Sequence, residues 1–392
     1  MHVPMKARRL VVSALLVCGS VLVGVSCSSI LGIEDTRVSG DAGPDLVCEE
    51  PAETACSGAC VDTTVEAANC GGCGRDCGGG TCTDGKCSAL AIATDLEAPY
   101  ALAVTPSGEQ VFWINATDIY RCPTTGCVGR PARIAELAVL SPPVPVQRRN
   151  RIVATNNEIF WLGKTSSDAL LSCPTAGCGM NLPGLKTGHG LDTPRGLSLI
   201  GDKLVVAQRF AATICEQAGG CATVSGAGAD SMQSATMDES KVYWAESTDP
   251  AGLYSVTRAS GAVQRLTQDR GQVVRLLGED LYVQRTLSED IYRCARTGCS
   301  GVGTQVVTGT GNSTSMVVDD RGIYWTVRGN DPAATGEVRS CPLAGCGGAA
   351  PAVLASGLAQ PTDLTLQGDF LFWVNHGLPG VAASGSVMRV RR

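Results

Sequence analysis

The sequence predicts an all-β protein, a seven-bladed β-propeller preceded by a small disulfide-rich module. Three observations carry this. First, all five tryptophans, Trp113, Trp161, Trp244, Trp325 and Trp373, close the same short apolar-aromatic strand, and Val206 and Val283 hold the same place in two further copies. Successive copies are 48, 45, 38, 39, 42 and 48 residues apart, the length of a four-stranded propeller blade. Second, a short Cys-to-Cys segment recurs after the aromatic strand in five of the copies. Third, the last copy ends one strand short, while an unassigned strand, Leu90-Ala91-Ile92-Ala93-Thr94, precedes the first.

Each repeat reads in the same order. A short apolar strand (Ala101-Leu102-Ala103-Val104 in the first) is followed by a Gly, Asp or Asn turn and then by the aromatic strand. A third strand follows (Asp118-Ile119-Tyr120-Arg121-Cys122), and a hairpin leads to a fourth (Ala132-Arg133-Ile134-Ala135). No segment sustains a 3.6-residue period, so helices should be scarce. Repeat position makes the tryptophans core residues packing blade on blade rather than a ligand platform.

The hairpins carry the second signature. Cys122-Pro-Thr-Thr-Gly-Cys127 returns as Cys173-Pro-Thr-Ala-Gly-Cys178, Cys294-Ala-Arg-Thr-Gly-Cys299 and Cys341-Pro-Leu-Ala-Gly-Cys346, and Cys215 to Cys221 is one residue longer. Proline presets the turn and glycine accepts the positive φ at its end. The two cysteines then face each other within disulfide reach. In the fourth repeat Val256 replaces the first cysteine and the second is lost with it, as bridging within a blade requires. Closing so short a loop contributes roughly 2 kcal/mol on the chain-entropy account.

Ring closure follows from the third observation. The last repeat ends at Ser386-Val387-Met388-Arg389-Val390, with Val390 at the cysteine position. Residues 90–94 would supply the missing strand, leaving no open seam between the first and last blades. Six or eight blades follow if the divergent third or fifth repeat is read differently.

Composition sets the setting. Twenty cysteines in 392 residues read as an oxidising compartment. Eight of them, Cys48, Cys56, Cys60, Cys70, Cys73, Cys77, Cys82 and Cys87, fall in a stretch too short for a hydrophobic core. Their connectivity is open, and zinc at Cys70 and Cys73 is the minor alternative. The net charge of −6 and scattered basic residues give no nucleic-acid footprint. Only three histidines exist: His2, His189 and His376.

At the start, Lys6, Arg8 and Arg9 precede an apolar stretch at residues 10–25, too short and too rich in small residues for a comfortable span. Gly24-Val25-Ser26-Cys27 follows and resembles the lipobox of bacterial lipoproteins, which implies lipidation at Cys27. Gly24 stands where the lipobox has Leu. Cys18 is the weaker candidate, and a plain cleaved signal peptide is the alternative. Residues 1–26 are thus read as a lipoprotein signal peptide, 27–47 as a flexible tether, 48–87 as the cysteine module and 88–392 as the propeller.

Ile323-Tyr324-Trp325-Thr326 and Val242-Tyr243-Trp244 resemble the strand motif of YWTD and NHL-type propellers. Most copies lack the Thr-Asp that follows Tyr-Trp there, so that family's inter-blade contacts are not carried over. The lipobox, the eight-cysteine module and the Cys-Pro-x-x-Gly-Cys blades together are similar to a group of bacterial surface lipoproteins. The resemblance implies a fold and is nearly silent on activity.

Site candidates come from aligning the starts of the first strands, where propeller enzymes place metals or histidines. These positions hold Tyr100, Arg149, Arg195, Met232, Gln272, Thr314 and Thr362, followed by Ala101, Asn150, Gly196, Gln233, Val273, Ser315 and Asp363. One carboxylate among them argues against a calcium site. Tyr100, Asn150, Arg195, Gln233, Asp363 and His376 are the candidate channel-mouth binding residues, with no catalytic residue, metal or cofactor assigned.

Three readings of function follow. The first is a membrane-anchored extracytoplasmic binding or scaffold lipoprotein, on the outer membrane by the Ser28 lean, with a cell-envelope or extracellular partner. The second is a propeller hydrolase or lyase using His376 with Asp363. The third is a structural protein cross-linked through its cysteine module.

Overall fold

The computed structural model describes residues 48, 50, 53–136, 152–164, 167–178, 184–185, 191–225, 232–248, 251–285, 290–299, 301–330 and 332–392. The leader, the tether, Cys18, Cys27, Asn150 and His189 lie outside them. Residues 47–392 form one compact unit. It is all-β: seven four-stranded antiparallel sheets and two small hairpins, with a single 3-10 turn at Ala67–Asn69 as the helical element among the described residues.

The seven sheets are the seven repeats. The innermost strands are Ala101–Val104, Ile152–Ala154, Gly196–Ile200, Met232–Met237, Val273–Leu277, Ser313–Asp319 and Pro361–Gln367. Each packs against the innermost strand of the next blade, and the seventh packs against the first. The seventh sheet is composite. Leu90–Leu96 pairs antiparallel with Gly385–Arg391, so its four strands come from opposite ends of the unit.

The core is divided among the blade junctions. All five tryptophans are at most 1% exposed, and each faces the preceding blade. Trp161 lies with Ala101, Phe112 and Ile114 of blade 1, and Trp113 with Phe372 and Val374 of blade 7. Trp244, Trp325 and Trp373 repeat this at later junctions. The first cysteine of each hairpin shares that face. Cys122, Cys173, Cys215, Cys294 and Cys341 are all buried, and so are Val256 and Val390 at the same place. The position is a core position first, which is why valine substitutes where no bridge exists.

Five disulfides close the hairpins: Cys122–Cys127, Cys173–Cys178, Cys215–Cys221, Cys294–Cys299 and Cys341–Cys346. These hairpins do more than end a blade. The backbone N–H of Cys127 donates to the carbonyl of Ile92 (3.0 Å), that of Cys178 to Ile134 (3.2 Å) and that of Cys299 to Leu266 (3.2 Å). Each acceptor lies in the outermost strand of the preceding blade. Each is also skipped by its own ladder, which jumps there by one residue. A β-bulge thus aims one carbonyl at the next blade, while the bulged side chain, buried, packs beside that blade's disulfide.

The cysteine module is held by interlocking bridges: Cys48–Cys60, Cys56–Cys73, Cys70–Cys82 and Cys77–Cys87. Its eight sulfurs are all consumed, which leaves no thiolate for zinc. The module rests on blade 7. Arg389 donates to the carbonyl of Gly78, and Arg391 donates to that of Asp76 at 2.6 Å. The Arg389 guanidinium also stacks on the Phe370 ring, 5.0 Å from its centre. A Cβ on Gly78 would stand 2.6 Å from that ring, so a side chain there would displace it.

The inter-blade role of the hairpins can be tested with two glycines. Gly345 and Gly126 both have positive φ, 93° and 124°, so alanine is strained at either by about 1 kcal/mol. A Cβ on Gly345 would also lie 2.1 Å from the carbonyl oxygen of Val306 in the preceding blade, whereas one on Gly126 would meet nothing within 4 Å. Urea melts should show Gly345→Ala losing at least about 1 kcal/mol more than Gly126→Ala. Equal losses would mean that the hairpin tip does not press on its neighbour.

Candidate functional site

The innermost strands surround a cavity of about 620 Å³. It runs along these strands and opens at the turns that follow them, on the face that also carries the disulfide hairpins. Its aliphatic lining comes from Leu102 and Val104, Ile152, Leu197 and Ile200, Met237, Val274 and Val317. Polar groups share the lining: Ser198, Thr236 and Thr365 stand along the strands, and charged groups lie at the floor and the mouth.

Asp363 and Arg275 mark the floor. Asp363, 2% exposed, accepts the N–H of Leu102 in blade 1 (3.1 Å), the N–H of Leu364 (3.0 Å) and the Ser315 hydroxyl of blade 6 (3.3 Å). One carboxylate thus ties three blades at the point where the ring closes. Burial pushes its pKa up to about 6, against the opposing pull of those hydrogen bonds and of the Arg275 charge. Arg275 stands in Val273-Val274-Arg275-Leu276-Leu277 and donates to Ser234 Oγ of blade 4 (3.3 Å) and to the Val274 carbonyl (2.9 Å). Burial lowers its pKa from the ordinary guanidinium value, and the Asp363 charge raises it.

The mouth carries a fixed charge cluster. Arg296, in the disulfide hairpin of blade 5, grips Glu279 with two bonds of 2.7 Å and reaches Asp238 at 3.0 Å. Burial alone would raise Asp238, but the Tyr243 hydroxyl and the N–H groups of Lys241 and Ser240 outweigh it and hold its pKa at about 2. Asp238 and Arg296 therefore stay charged at ordinary pH.

Of the sequence candidates, the structure places Asp363 in this cavity and the other described ones elsewhere. Tyr100 turns into the core between blades 1 and 2. Gln233 is the residue skipped in the Met232–Met237 ladder, and Arg195 precedes its strand, bonded through its N–H to Ala207. His376 lines a separate pocket of about 500 Å³ with Arg328 and Gln360, its Nδ1 3.2 Å from the Pro99 carbonyl. The reason is geometric. Side chains such as Tyr100 and Met232 are drawn into the junction cores, and the cavity begins just beyond them, at Leu102, Ile152, Leu197, Val274 and Asp363, and runs to the turns. Arg275, Asp238 and Arg296 were not singled out from the sequence. A lone arginine within an apolar strand was the available signal for the first.

No family model matches this chain, and no curated protein matches it. Among solved structures it resembles virginiamycin B lyase from Staphylococcus aureus (11% identity, TM-score 0.55, covering 78% of this chain and 98% of that one). It resembles U3-55K (10%, 0.56, 78% and 98%) and the RRP9 WD40 repeats (11%, 0.56, 78% and 97%) to the same degree.

The buried carboxyl gives a pH test. A raised pKa means that the unfolded chain releases the Asp363 proton first, so this group's contribution to stability is full below the ordinary carboxylate range and is lost as pH rises through about 6. Asp363→Asn cannot titrate. Its stability relative to wild type should rise by about 3 kcal/mol between roughly pH 3.5 and 7. A difference that stays flat across urea melts at those two pH values would contradict the assignment. At this identity the three likenesses establish one thing, that the chain has the β-propeller fold.

Proposed function

We propose that this chain is an exported lipoprotein, anchored to the cell envelope through Cys27 and tethered by residues 27–47, whose propeller binds a cell-envelope or extracellular partner. The observation that carries the binding reading is the cavity: a concave site lined by all seven innermost strands, with aliphatic and polar side chains sharing its walls and one disulfide-braced hairpin reaching its mouth through Arg296. Such a site is preorganised, and preorganisation lowers the ordering cost of binding. Nine disulfides fit an extracellular or envelope location. No helix among the described residues is long and apolar enough to cross a membrane. Residues 1–26 as a signal peptide supply the export step, and the reading needs no cofactor and no nucleic acid.

A hydrolase or lyase built on His376 and Asp363 is less well supported. The two residues line different cavities, and the bonds of Asp363 to Leu102, Leu364 and Ser315 read as a tie between blades.

Two measurements test the proposal. Cys27→Ser should move the protein from the membrane pellet to the soluble fraction, and an unchanged pellet would remove the anchor. A photo-crosslinking amino acid at Gln367, beside the cavity, should give partner adducts in intact cells, whereas one at His376 should not. Adducts from His376 alone would assign binding to the opposite face.

A further inference from the structure

The rim of the central cavity is built from the turns that follow the innermost strands, and neighbouring turns belong to different blades. Between blades 4 and 5 one side chain crosses from turn to turn. Arg296 lies inside the disulfide loop of blade 5, Cys294-Ala-Arg-Thr-Gly-Cys299. Of the five such loops, this one alone contributes to the cavity lining among the described residues. The Arg296 guanidinium holds Glu279, in the turn of its own blade, and reaches Asp238, where the innermost strand of blade 4 has just ended.

The loop is pinned and the side chain is not. The bridge ties the ends of the loop, the Arg296 N–H bonds to the Glu279 carbonyl at 2.9 Å, and the Cys299 N–H bonds to Leu266 of blade 4. The bonds of the guanidinium are of a reversible kind. Glu279 is exposed and Arg296 partly so, and ion pairs in contact with water are weak and screened by salt. Asp238 is the firm end. It is mostly buried and fixed by Tyr243 and by the N–H groups of Lys241 and Ser240, so the arginine has a set place to return to.

Blade 4 shows an arginine in the same position that does not cross. Arg258 stands two residues after Val256, as Arg296 stands two after Cys294, and its N–H bonds to the Ser240 carbonyl of the matching turn. Its guanidinium bonds to the Glu239 carbonyl of its own blade at 2.9 Å, and it lines the outer groove rather than the cavity. Two features separate the hairpins. Blade 4 has no bridge, and on the rim of blade 3 Ile200, paired with Lys203, holds the place of Asp238.

We propose that Arg296 is a strap across the rim of the central cavity, closed on Asp238, opened when its ion pairs let go, and braced by the Cys294–Cys299 bridge. The inference takes the cavity as the binding site, on the reading above, and adds how entry to it is controlled. The fold tolerates a missing brace, since Val256 and Val390 are buried at the bridge position in blades 4 and 7.

The test reads entry without any partner, so its failure is distinct from a failure to find one. Thr365→Cys puts a thiol on the cavity wall in blade 7, and its alkylation by a neutral maleimide is timed in the full mature chain. Ala116→Cys, in an exposed loop at the opposite face, is the control. Arg296→Ala should speed alkylation at position 365 by roughly fivefold or more at about 20 mM salt, and leave position 116 unchanged. With Arg296 present the rate at 365 should climb as salt rises to about 500 mM, and with alanine it should stay level. Cys294→Val combined with Cys299→Ala should keep a cooperative melt and also speed alkylation. A rate at 365 that ignores Arg296→Ala, or ignores salt with Arg296 present, would overturn the proposal, as would a thiol there that stays unreactive in every variant. A bridge-less variant alkylated at the bridged rate would overturn the brace.

Discussion

The pairing of Leu90–Leu96 with Gly385–Arg391 is the constraint on which the rest of the structure depends. Without it blade 7 would be a three-stranded sheet, and Ile92 and Ala93 would leave the core shared with Trp113, Phe372 and Val387. The loss would spread. Ile92 also offers the carbonyl that receives the Cys127 N–H, so the closing strand holds blade 1 as well as blade 7. Asp363 reinforces the same place from the inside, by joining Leu102, Leu364 and Ser315. The module seated on Arg389 and Arg391 reinforces it from the outside. Three independent devices converge on the closing blade, where the cyclic sheet arrangement is made by chain segments some 290 residues apart.

At three junctions, blade 7 to 1, 1 to 2 and 4 to 5, one local device is reused. A bulge in an outermost strand turns a carbonyl and an apolar side chain toward the next blade, whose disulfide-closed hairpin supplies the N–H and the packing surface. The bridge keeps the hairpin short enough for this contact. Where the bridge is missing, in blade 4, the preceding strand is regular and the groove beside it stays open. Blade 7 also lacks the bridge, yet the blade 6 strand before it is shifted twice, so bulge and bridge are separable. One of these hairpins also reaches the central cavity, through Arg296.

Much of this was legible in the sequence. The tryptophan repeat marks five equivalent strands because a side chain that size has one kind of place in a blade, the junction core, and the spacing extends the pattern to Val206 and Val283. The paired presence and paired absence of cysteines identifies the hairpins, and the orphan strand before the first repeat identifies the closure. The module's connectivity was not legible, since eight cysteines so close together satisfy many pairings. Nor was the cavity's end of the channel. Strand starts can be aligned from a repeat, but whether Tyr100 and Met232 turn toward the channel or into a junction depends on twist that one strand's pattern does not encode. Asp363 was found by that alignment; Arg275 was missed because it sits mid-strand, three residues beyond the aligned start.

Amide hydrogen exchange read by mass spectrometry tests the closure most directly. If the N-terminal strand completes the last blade, peptides covering Leu90–Leu96 and Gly385–Arg391 should be protected alike and should open together, at a free energy close to that of global unfolding. Rapid exchange of Leu90–Leu96 under native conditions, with Gly385–Arg391 still protected, would contradict the account.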